Sequence, residues 1–170
     1  MQIIPIASGK GGVGKTLVAT NLAVALARYG KRVVLADLDL GGSNLHLTLG
    51  QSGVRTGIGT FLLDSKVKFE DIILPTEYEN LRFIPGDAEI PGMANLKSGE
   101  KSKLIRRLYG VDADYLVADL GAGTNFNTLD FFLTSSRGMV VTTPTLTATL
   151  NAYLFLKNTV FRLMGNSFKK

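Results

Sequence analysis

The strongest constraint on this chain is the segment of residues 9–16, which reads GKGGVGKT. Its spacing is G-x-x-x-x-G-K-[ST], a pattern whose backbone N–H groups surround nucleotide phosphates. An apolar run at residues 3–7 precedes the segment and a stretch with an apolar face at 17–29 follows it, so the sequence predicts strand, glycine loop and helix. The loop would hold a phosphate at the positive end of that helix. We expect the phosphate cradle to consist of Gly9, Lys10, Gly11, Gly12, Val13, Gly14, Lys15 and Thr16.

Two residues at the end of this loop decide between two kinds of nucleotide site. The same glycines also spell G-x-G-x-x-G, and Asp37 closes the next predicted strand, where a dinucleotide-binding fold places its ribose-binding acid. A dinucleotide site needs neither a lysine at position 15 nor a hydroxyl at position 16. In a P-loop, Lys15 reaches the β- and γ-phosphates and the Thr16 hydroxyl ligates Mg²⁺. We therefore favour the P-loop over a nicotinamide or flavin site, and over a glycine turn without a ligand.

Composition limits the remaining choices. The chain has 170 residues with 45% hydrophobic content, which suits one domain with a sizeable core. Short apolar runs alternate with longer amphipathic ones, a pattern typical of an α/β fold with a mostly parallel sheet and helices on both faces. There is no cysteine, so disulfides and thiolate chemistry are excluded within these residues. No apolar stretch is long enough to span a bilayer, and we expect a cytoplasmic protein.

Acidic residues follow two of the predicted strands. Asp37 and Asp39 come at the end of a strand predicted over residues 32–36, and alternation places them on one face. Asp119 closes another apolar strand, at 115–119, in the manner of a Walker B acid that holds magnesium. Ligands of open parallel sheets bind at the carboxyl ends of the strands. We expect these acids to serve magnesium or an attacking water, the alternative being ordinary capping of strand ends.

Two predicted helices carry distinctive faces. The helix at 98–109 has a basic side, which we interpret first as a solvated face and second as a docking surface; its cations are Lys101, Lys103, Arg106 and Arg107. The helix at 148–164 is amphipathic. Its residues predicted to be buried are Leu150, Tyr153, Leu154, Val160 and Phe161. Residues 86–95 are predicted to form a loop.

The order of the motifs resembles the MinD/ParA family of ATPases. The motifs are residues 10–16 (KGGVGKT), 37–42 (DLDLGG), 84–86 (IPG), 119–123 (DLGAG) and 142–144 (TTP), together with Asn44. Lys10, directly after the first glycine, gives the deviant Walker A form with two lysines. The chain looks most like the MinD branch, including FlhG-type regulators of flagellar number. Gly121 is similar to the FlhG form, since typical MinD proteins have proline there.

This resemblance implies a role for each matching residue. Lys10 would reach across an ATP-dependent homodimer to the partner's nucleotide and act like an arginine finger. Lys15 would bind the β- and γ-phosphates, and Asp39 would orient the attacking water. Magnesium would be held by Thr16 and Asp119, with Asp37 supporting its shell. The implied cofactors are ATP and Mg²⁺.

The same resemblance suggests what the ATPase would do. It implies a switch that positions a division site, a flagellum or other polar cargo, with an activator protein as a further partner. A membrane surface is the expected working surface of the full-length protein, at the inner membrane face. Non-specific DNA, bound through Arg106 and Arg107 in a salt-sensitive way, ranks below it. Further alternatives are a nucleotide-binding regulatory module without hydrolysis and, last, a dinucleotide-dependent oxidoreductase.

The chain also departs from the family pattern. It is shorter, so we expect residues 1–170 to be the N-terminal portion of one P-loop ATPase domain, without the later elements that hold adenine. The helix at 148–164 matches an internal helix of the family rather than its C-terminal membrane helix. The usual Pro-Glu-Pro-Thr is replaced by PTLT at 144–147, which leaves the local turn open.

Overall fold

The computed structural model describes residues 1–51, 56–86 and 95–168. Its strands are β1 Gln2–Ser8, β2 Val33–Leu38, β3 Leu74–Pro75, β4 Leu81–Ile84, β5 Tyr115–Ala122 and β6 Met139–Val140. Its α-helices are α1 Lys15–Arg28, α2 Leu45–Thr48, α3 Ile58–Leu63, α4 Ser98–Tyr109, α5 Phe126–Phe132 and α6 Leu146–Ser167, and a short 3₁₀ helix spans Phe69–Ile72. Most of the loop predicted at 86–95 lies outside the described residues.

One sheet organises the described part of the chain. Its strand order is β3-β4-β2-β5-β1-β6, and every pairing is parallel except that of β3 with β4. The predicted mostly parallel α/β fold is confirmed. The strand β3 was not predicted, because two residues that include a proline carry no strand pattern. In this sheet β1, β2 and β5 lie side by side, so the loops that follow them meet at one edge.

Side chains alternate between the two faces of each central strand, and those on each face pack into a separate core. On one face, Ile6 and Leu35 pack with the alanines of α1. On the other face, Ala7 and Ala36 belong to a larger core that α3, α4, α5 and α6 help to close. Helices therefore cover both faces, as the alternation of apolar runs predicts. The rows of alanine in α1 (Ala19, Ala23, Ala27) let this helix approach the sheet closely.

The helix α6 buries a different stripe from the predicted one. The residues expected to be buried, which are Leu150, Tyr153, Leu154, Val160 and Phe161, are all exposed. Ala148, Phe155 and Thr159 are buried instead, and the Phe155 ring meets that of Phe132 edge-to-face with centroids 5.0 Å apart. A helix that is apolar on several sides gives no sign of which side meets the fold, so periodicity alone chose the wrong one.

Among the residues that the structure describes, no helix combines the length and apolar character that crossing a bilayer requires.

Candidate functional site

The glycine loop joins the carboxyl end of β1 to the first turn of α1. Gly12 and Gly14 adopt positive φ angles of 78° and 89°, which glycine tolerates better than other residues. Gly14 is the residue before α1, and its carbonyl oxygen accepts a hydrogen bond from the Val18 backbone N–H (3.0 Å). No acidic side chain lies in the first turn of α1, so the positive end of the helix is open to an anion.

Gly9 brings the start of this loop against α6. A Cβ atom at position 9 would lie 2.1 Å from the Asn151 carbonyl oxygen and 2.6 Å from the Ala152 backbone nitrogen. Real Cβ atoms do not come this close to backbone atoms. Glycine is therefore required at this position by helix packing, in addition to any role beside a phosphate.

Lys15 and Asp119 form a buried ion pair at the base of the loop. Lys15 Nζ donates to Asp119 Oδ1 at 2.6 Å. Burial raises the pKa of Asp119, while the charge of Lys15 and hydrogen bonds from Lys15 and Thr16 oppose that rise. The structure thus brings together three residues predicted to serve phosphate and magnesium: a cation, a hydroxyl and a carboxylate.

Asp37 is buried and holds the segment that follows it. Its Oδ1 accepts from the Asp39 backbone N–H (3.1 Å), and its Oδ2 accepts from the Ser43 hydroxyl (2.6 Å) and the Leu45 backbone N–H (3.2 Å). Burial raises the pKa of Asp37 to about 6, although these hydrogen bonds oppose the rise. The Asp37 carboxylate already accepts hydrogen bonds from three donors within the chain. It therefore positions residues 39–45.

Asp39 lies beside two glycines from different loops. A Cβ atom on Gly121 would lie 3.3 Å from Asp39 Oδ1, and one on Gly42 would lie 3.6 Å from the same oxygen. The Asp39 side chain is partly exposed. It is therefore the acid of this group that remains accessible at the edge of the sheet where the loops meet.

The strand register explains why these acids converge. Asp37 and Asp119 are paired positions on β2 and β5, and Asp119 is also paired with Ile6 of β1. Lys10, in contrast, is exposed, and no hydrogen bond or ion pair to the described residues holds its side chain. The two lysines of the loop therefore have opposite environments: Lys15 is buried in the site and Lys10 extends from it.

The donor atoms present are suitable for Mg²⁺. Carboxylate and hydroxyl oxygens from Asp119 and Thr16 are the hard ligands that this ion prefers. Within the described ranges, no group of three or more acidic or histidine side chains is placed to share a metal ion. Such a sparse set fits an ion that takes most of its ligands from water and phosphates rather than from a protein cage.

Three further residues lie close to the acids or to the loop, and the sequence assigned a role to none of them, although Gly86 belongs to the IPG motif at 84–86. Ser43 bonds Asp37, and its signal is a serine in the glycine-rich segment after the acids. Gly86 is required by space, because a Cβ atom there would lie 2.9 Å from the Asp37 carbonyl oxygen. Ser8 Oγ is buried at the start of the loop and has no hydrogen-bond partner among the described residues. An unpaired buried hydroxyl has no signal in a single sequence.

The strand, the glycine loop, the helix and the converging acids define a nucleotide-binding site of the P-loop type. A comparison with protein families agrees. The ParA family model, described as NUBPL iron-transfer P-loop NTPase, matches residues 1–161. The chain belongs to the ParA family of P-loop NTPases, and it is similar to MinD- and FleN-type proteins.

Relatives with assigned roles are similar over most of the chain. The antiactivator FleN of Pseudomonas aeruginosa is 31% identical over 98% of this chain and 61% of its own length. The septum site-determining protein MinD of Synechocystis is 35% identical over 89% of this chain and 56% of its own. The flagellum site-determining protein YlxH of Helicobacter pylori is 34% identical over 92% of this chain and 53% of its own length. The chain thus spans between half and two thirds of the length of these relatives.

Solved structures agree with the fold. The septum site-determining protein MinD of Pyrococcus horikoshii, complexed with Mg-ADP, has a TM-score of 0.79 and 32% identity. The match covers 92% of this chain and 65% of that one. A chain of the MinC:MinD cell division protein complex of Aquifex aeolicus has a TM-score of 0.77 and 25% identity, and the match covers 92% of this chain and 62% of that one.

Proposed function

We propose that this chain is the phosphate-binding part of a Mg-ATP-dependent dimerising ATPase, a switch that positions cellular structures. The chain's relatives named above determine septum or flagellum sites or act as an antiactivator, which supports this class of output. The cargo would be a division site, a flagellum or another polar structure. The iron-transfer part of the family description is not extended to this chain, since these 170 residues contain no cysteine, a usual ligand of iron–sulfur clusters.

The contrast between the two loop lysines carries the proposal. Lys15 is buried against Asp119, inside its own site, whereas Lys10 of the same loop is exposed. One lysine is therefore placed to serve the nucleotide of its own chain, and the other is free to serve a nucleotide outside it. We assign Lys10 to the site of a second copy, where a cation arriving in trans stabilises charge on the transferred phosphoryl group.

The other roles follow from position. When nucleotide binds, the Lys15 ammonium would leave Asp119 and donate to the β- and γ-phosphates instead. Phosphate oxygens offer it more acceptors than one carboxylate does. Asp39, the accessible acid, would orient the attacking water. Asp37 would act through its hydrogen bonds to the segment after Asp39, so that this segment responds to the γ-phosphate. The backbone N–H groups of residues 9–16 would surround the phosphates.

Thr16 and Asp119 would hold Mg²⁺, with Asp37 supporting them through the neighbouring strand. When bound, Mg²⁺ neutralises charge on the β- and γ-phosphates and fixes their geometry. The structure of the Pyrococcus relative is complexed with Mg-ADP, which supports ATP and Mg²⁺ as the pair used here.

The decisive experiment measures phosphate release as a function of protein concentration. The native chain should show a rate per subunit that rises with concentration, because each site is completed by a second copy. Lys10→Ala should lose most of this rate, by about 10³-fold if the lysine acts as a finger, and should still bind Mg-ATP. Lys15→Ala should lose binding of Mg-ATP itself. Lys66→Ala, which removes an exposed lysine elsewhere, is the matched control and should behave as the native chain.

Different outcomes would select different functions. A rate per subunit that is independent of concentration and survives Lys10→Ala would exclude the shared site. Tight binding of Mg-ATP without phosphate release would favour a regulatory module that does not hydrolyse. Thermal stabilisation by NAD and not by Mg-ATP would exclude the ATPase altogether.

Besides a second copy of this chain, the proposed partners are an activator protein and a membrane surface. That surface would be the cytoplasmic face of the inner membrane. The similarity to a chain of the Aquifex MinC:MinD complex supports a partner protein. Co-sedimentation with anionic vesicles and with duplex DNA distinguishes the membrane from the lower-ranked DNA alternative.

A further inference from the structure

A basic groove lies at the opposite end of the sheet from the glycine loop. It runs between α4, the 3₁₀ helix and the start of β4, and has a volume of about 780 Å³. Four cations line it, Arg82, Lys103, Arg106 and Arg107, against the two acids Glu70 and Asp112. These residues lie where strands begin, whereas a nucleotide at residues 9–16 would lie where strands end. The groove is therefore separate from the nucleotide site.

The acids of the groove do not neutralise its cations. The Asp112 carboxylate accepts from Arg32 Nη1 at 2.8 Å, outside this groove. Glu70 Oε1 is 3.9 Å from Arg107 Nη1, and the two side chains are 69% and 54% exposed, so this pair contributes little. Arg106 is exposed, and in the described part of the chain no hydrogen bond or ion pair engages it. The guanidinium groups of Arg106 and Arg107 remain available to an anionic partner.

The floor of the groove is apolar. Ile73 is half-buried and contributes apolar surface beneath the cations, while Phe69 and Val111, which are almost fully buried, close the floor behind it. The Lys103 ammonium lies 4.3 Å from the centroid of the Phe61 ring, which holds that side chain against the wall. An occupant of this groove gains both from burying apolar side chains and from pairing carboxylates with arginines.

The groove continues into a second depression. That depression has a volume of about 440 Å³ and shares Arg82 and Asp112 with the first. Arg82 donates a hydrogen bond to the Asp112 backbone carbonyl, and this contact forms the divide between the two spaces. The two depressions together form an elongated surface at the edge of the sheet where the strands begin. Such a surface suits an extended peptide better than a small anion.

We propose that this basic groove docks an acidic peptide segment of a partner protein, one that also carries apolar side chains. Duplex DNA fits less well, because a phosphate backbone needs a broad surface of one sign, whereas this groove is concave, has an apolar floor and includes two carboxylates. The site does not depend on the proposed ATPase function, since it shares no residue with the nucleotide loop. It gives the basic side of α4 a role as a docking surface rather than a solvated face.

Fluorescence anisotropy of a labelled Glu- and Leu-rich peptide tests the proposal, with the same peptide carrying Gln in place of Glu as the neutral probe. The native chain should bind the acidic peptide saturably and the neutral one more weakly. Arg106→Glu/Arg107→Glu should weaken binding of the acidic peptide by about tenfold or more. Arg137→Glu/Lys157→Glu makes the same change of charge on another face and should leave the affinity within about twofold of native.

Two further measurements keep the outcome decisive. Hydrogen exchange should show that the acidic peptide protects amides in residues 99–112. Circular dichroism and urea denaturation of the Arg106/Arg107 double variant should match the native chain, which shows that the variant remains folded. Equal weakening in both double variants, or no weakening in either, would overturn the proposal. Tighter binding to duplex DNA or to anionic vesicles than to the peptide, with the same sensitivity to Arg106 and Arg107, would also overturn it in favour of that partner.

Discussion

Lys15 Nζ lies 2.6 Å from Asp119 Oδ1, and the two side chains are only 8% and 2% exposed. The residue proposed to bind phosphates and the residue proposed to hold magnesium therefore neutralise each other in this structure. Neither charge can be left alone there without a large desolvation cost. Binding of Mg-ATP would provide new partners for both at once, so nucleotide and metal should bind cooperatively.

The first prediction concerns this ion pair. Lys15→Met leaves Asp119 buried without its partner, and we expect the free energy of unfolding to fall by about 3–5 kcal/mol. Asp119→Asn alone should also destabilise, because it leaves the lysine unpaired. The double variant should be less destabilised than the sum of the two. Urea denaturation of the four proteins without nucleotide measures the coupling, and additive losses would contradict a stabilising pair.

A second prediction follows from the buried carboxylates. Burial raises the pKa of Asp37 from 3.8 to about 6, so the folded chain binds this proton more tightly than the unfolded chain. The associated stability is complete below about pH 4 and is lost as pH rises through about 6. We expect the free energy of unfolding of the nucleotide-free chain to fall by up to about 3 kcal/mol over this window through Asp37. Asp119 shifts in the same direction and adds to the fall.

Urea denaturation between pH 4.5 and 7 checks this dependence. Asp37→Asn removes the titrating group and should flatten the profile, whereas Asp64→Asn changes an exposed carboxylate and should not. Acids whose pKa is lowered, such as Asp114, lose their contribution only below this window and do not obscure it. A native profile that rises with pH, or one that Asp37→Asn leaves unchanged, would contradict the prediction.

The sequence predicted the elements around the site better than the contacts within it. The spacing at residues 9–16 and the apolar strands ending in Asp37 and Asp119 are local signals, and a parallel sheet brings such strand ends together. The ion pair of Lys15 with Asp119 joins residues 104 positions apart, so no local pattern reveals it. The bond from Ser43 to Asp37 depends on how the glycine-rich segment turns back, which its composition permits but does not specify.

Burial of α6 could not be predicted for a related reason. Its sequence is apolar on several sides, and the side that meets the sheet is set by Phe132 and by the loop at Gly9, both far away in the chain. The roles predicted for Lys10, Lys15 and Asp39 concern nucleotide chemistry, and they remain predictions for the experiments above.

A third prediction uses the close approach of Gly9 to α6. Gly9→Ala places a Cβ atom 2.1 Å from the Asn151 carbonyl oxygen, so the loop or the helix must move. We expect a loss of about 1–3 kcal/mol or more in the free energy of unfolding. Gly11→Ala is the matched control: its Cβ atom would meet nothing within 4 Å, and its stability should lie within about 1 kcal/mol of native. Equal stability of the two variants by urea denaturation would show that α6 does not restrict position 9.

The fourth prediction concerns Asp130, which links three helices. Its carboxylate accepts from Arg162 Nε (2.7 Å) and Nη2 (2.9 Å) on α6, and from Lys101 on α4. Asp130→Asn should lower the free energy of unfolding by about 2 kcal/mol, because two cations in the interface lose a charged acceptor. Hydrogen exchange should also become faster in α6, since this contact helps to hold that helix. Asp112→Asn breaks an exposed pair with Arg32 and should cost far less than Asp130→Asn.

Asp130→Asn could lower the free energy of unfolding through the lost charge or through altered packing. The pH dependence of the loss distinguishes the two. Burial alone would raise the pKa of Asp130, but the hydrogen bonds from Arg162 and Lys101 outweigh it, and the pKa lies below its ordinary value of 3.8. The folded chain therefore keeps this carboxylate ionised to lower pH than the unfolded chain does. The stability it contributes is present above about pH 4 and is lost as pH falls through the lowered pKa. The difference between native and Asp130→Asn should accordingly be constant from pH 7 to 5 and shrink below 4. A difference that persists unchanged in acid would assign the effect to packing.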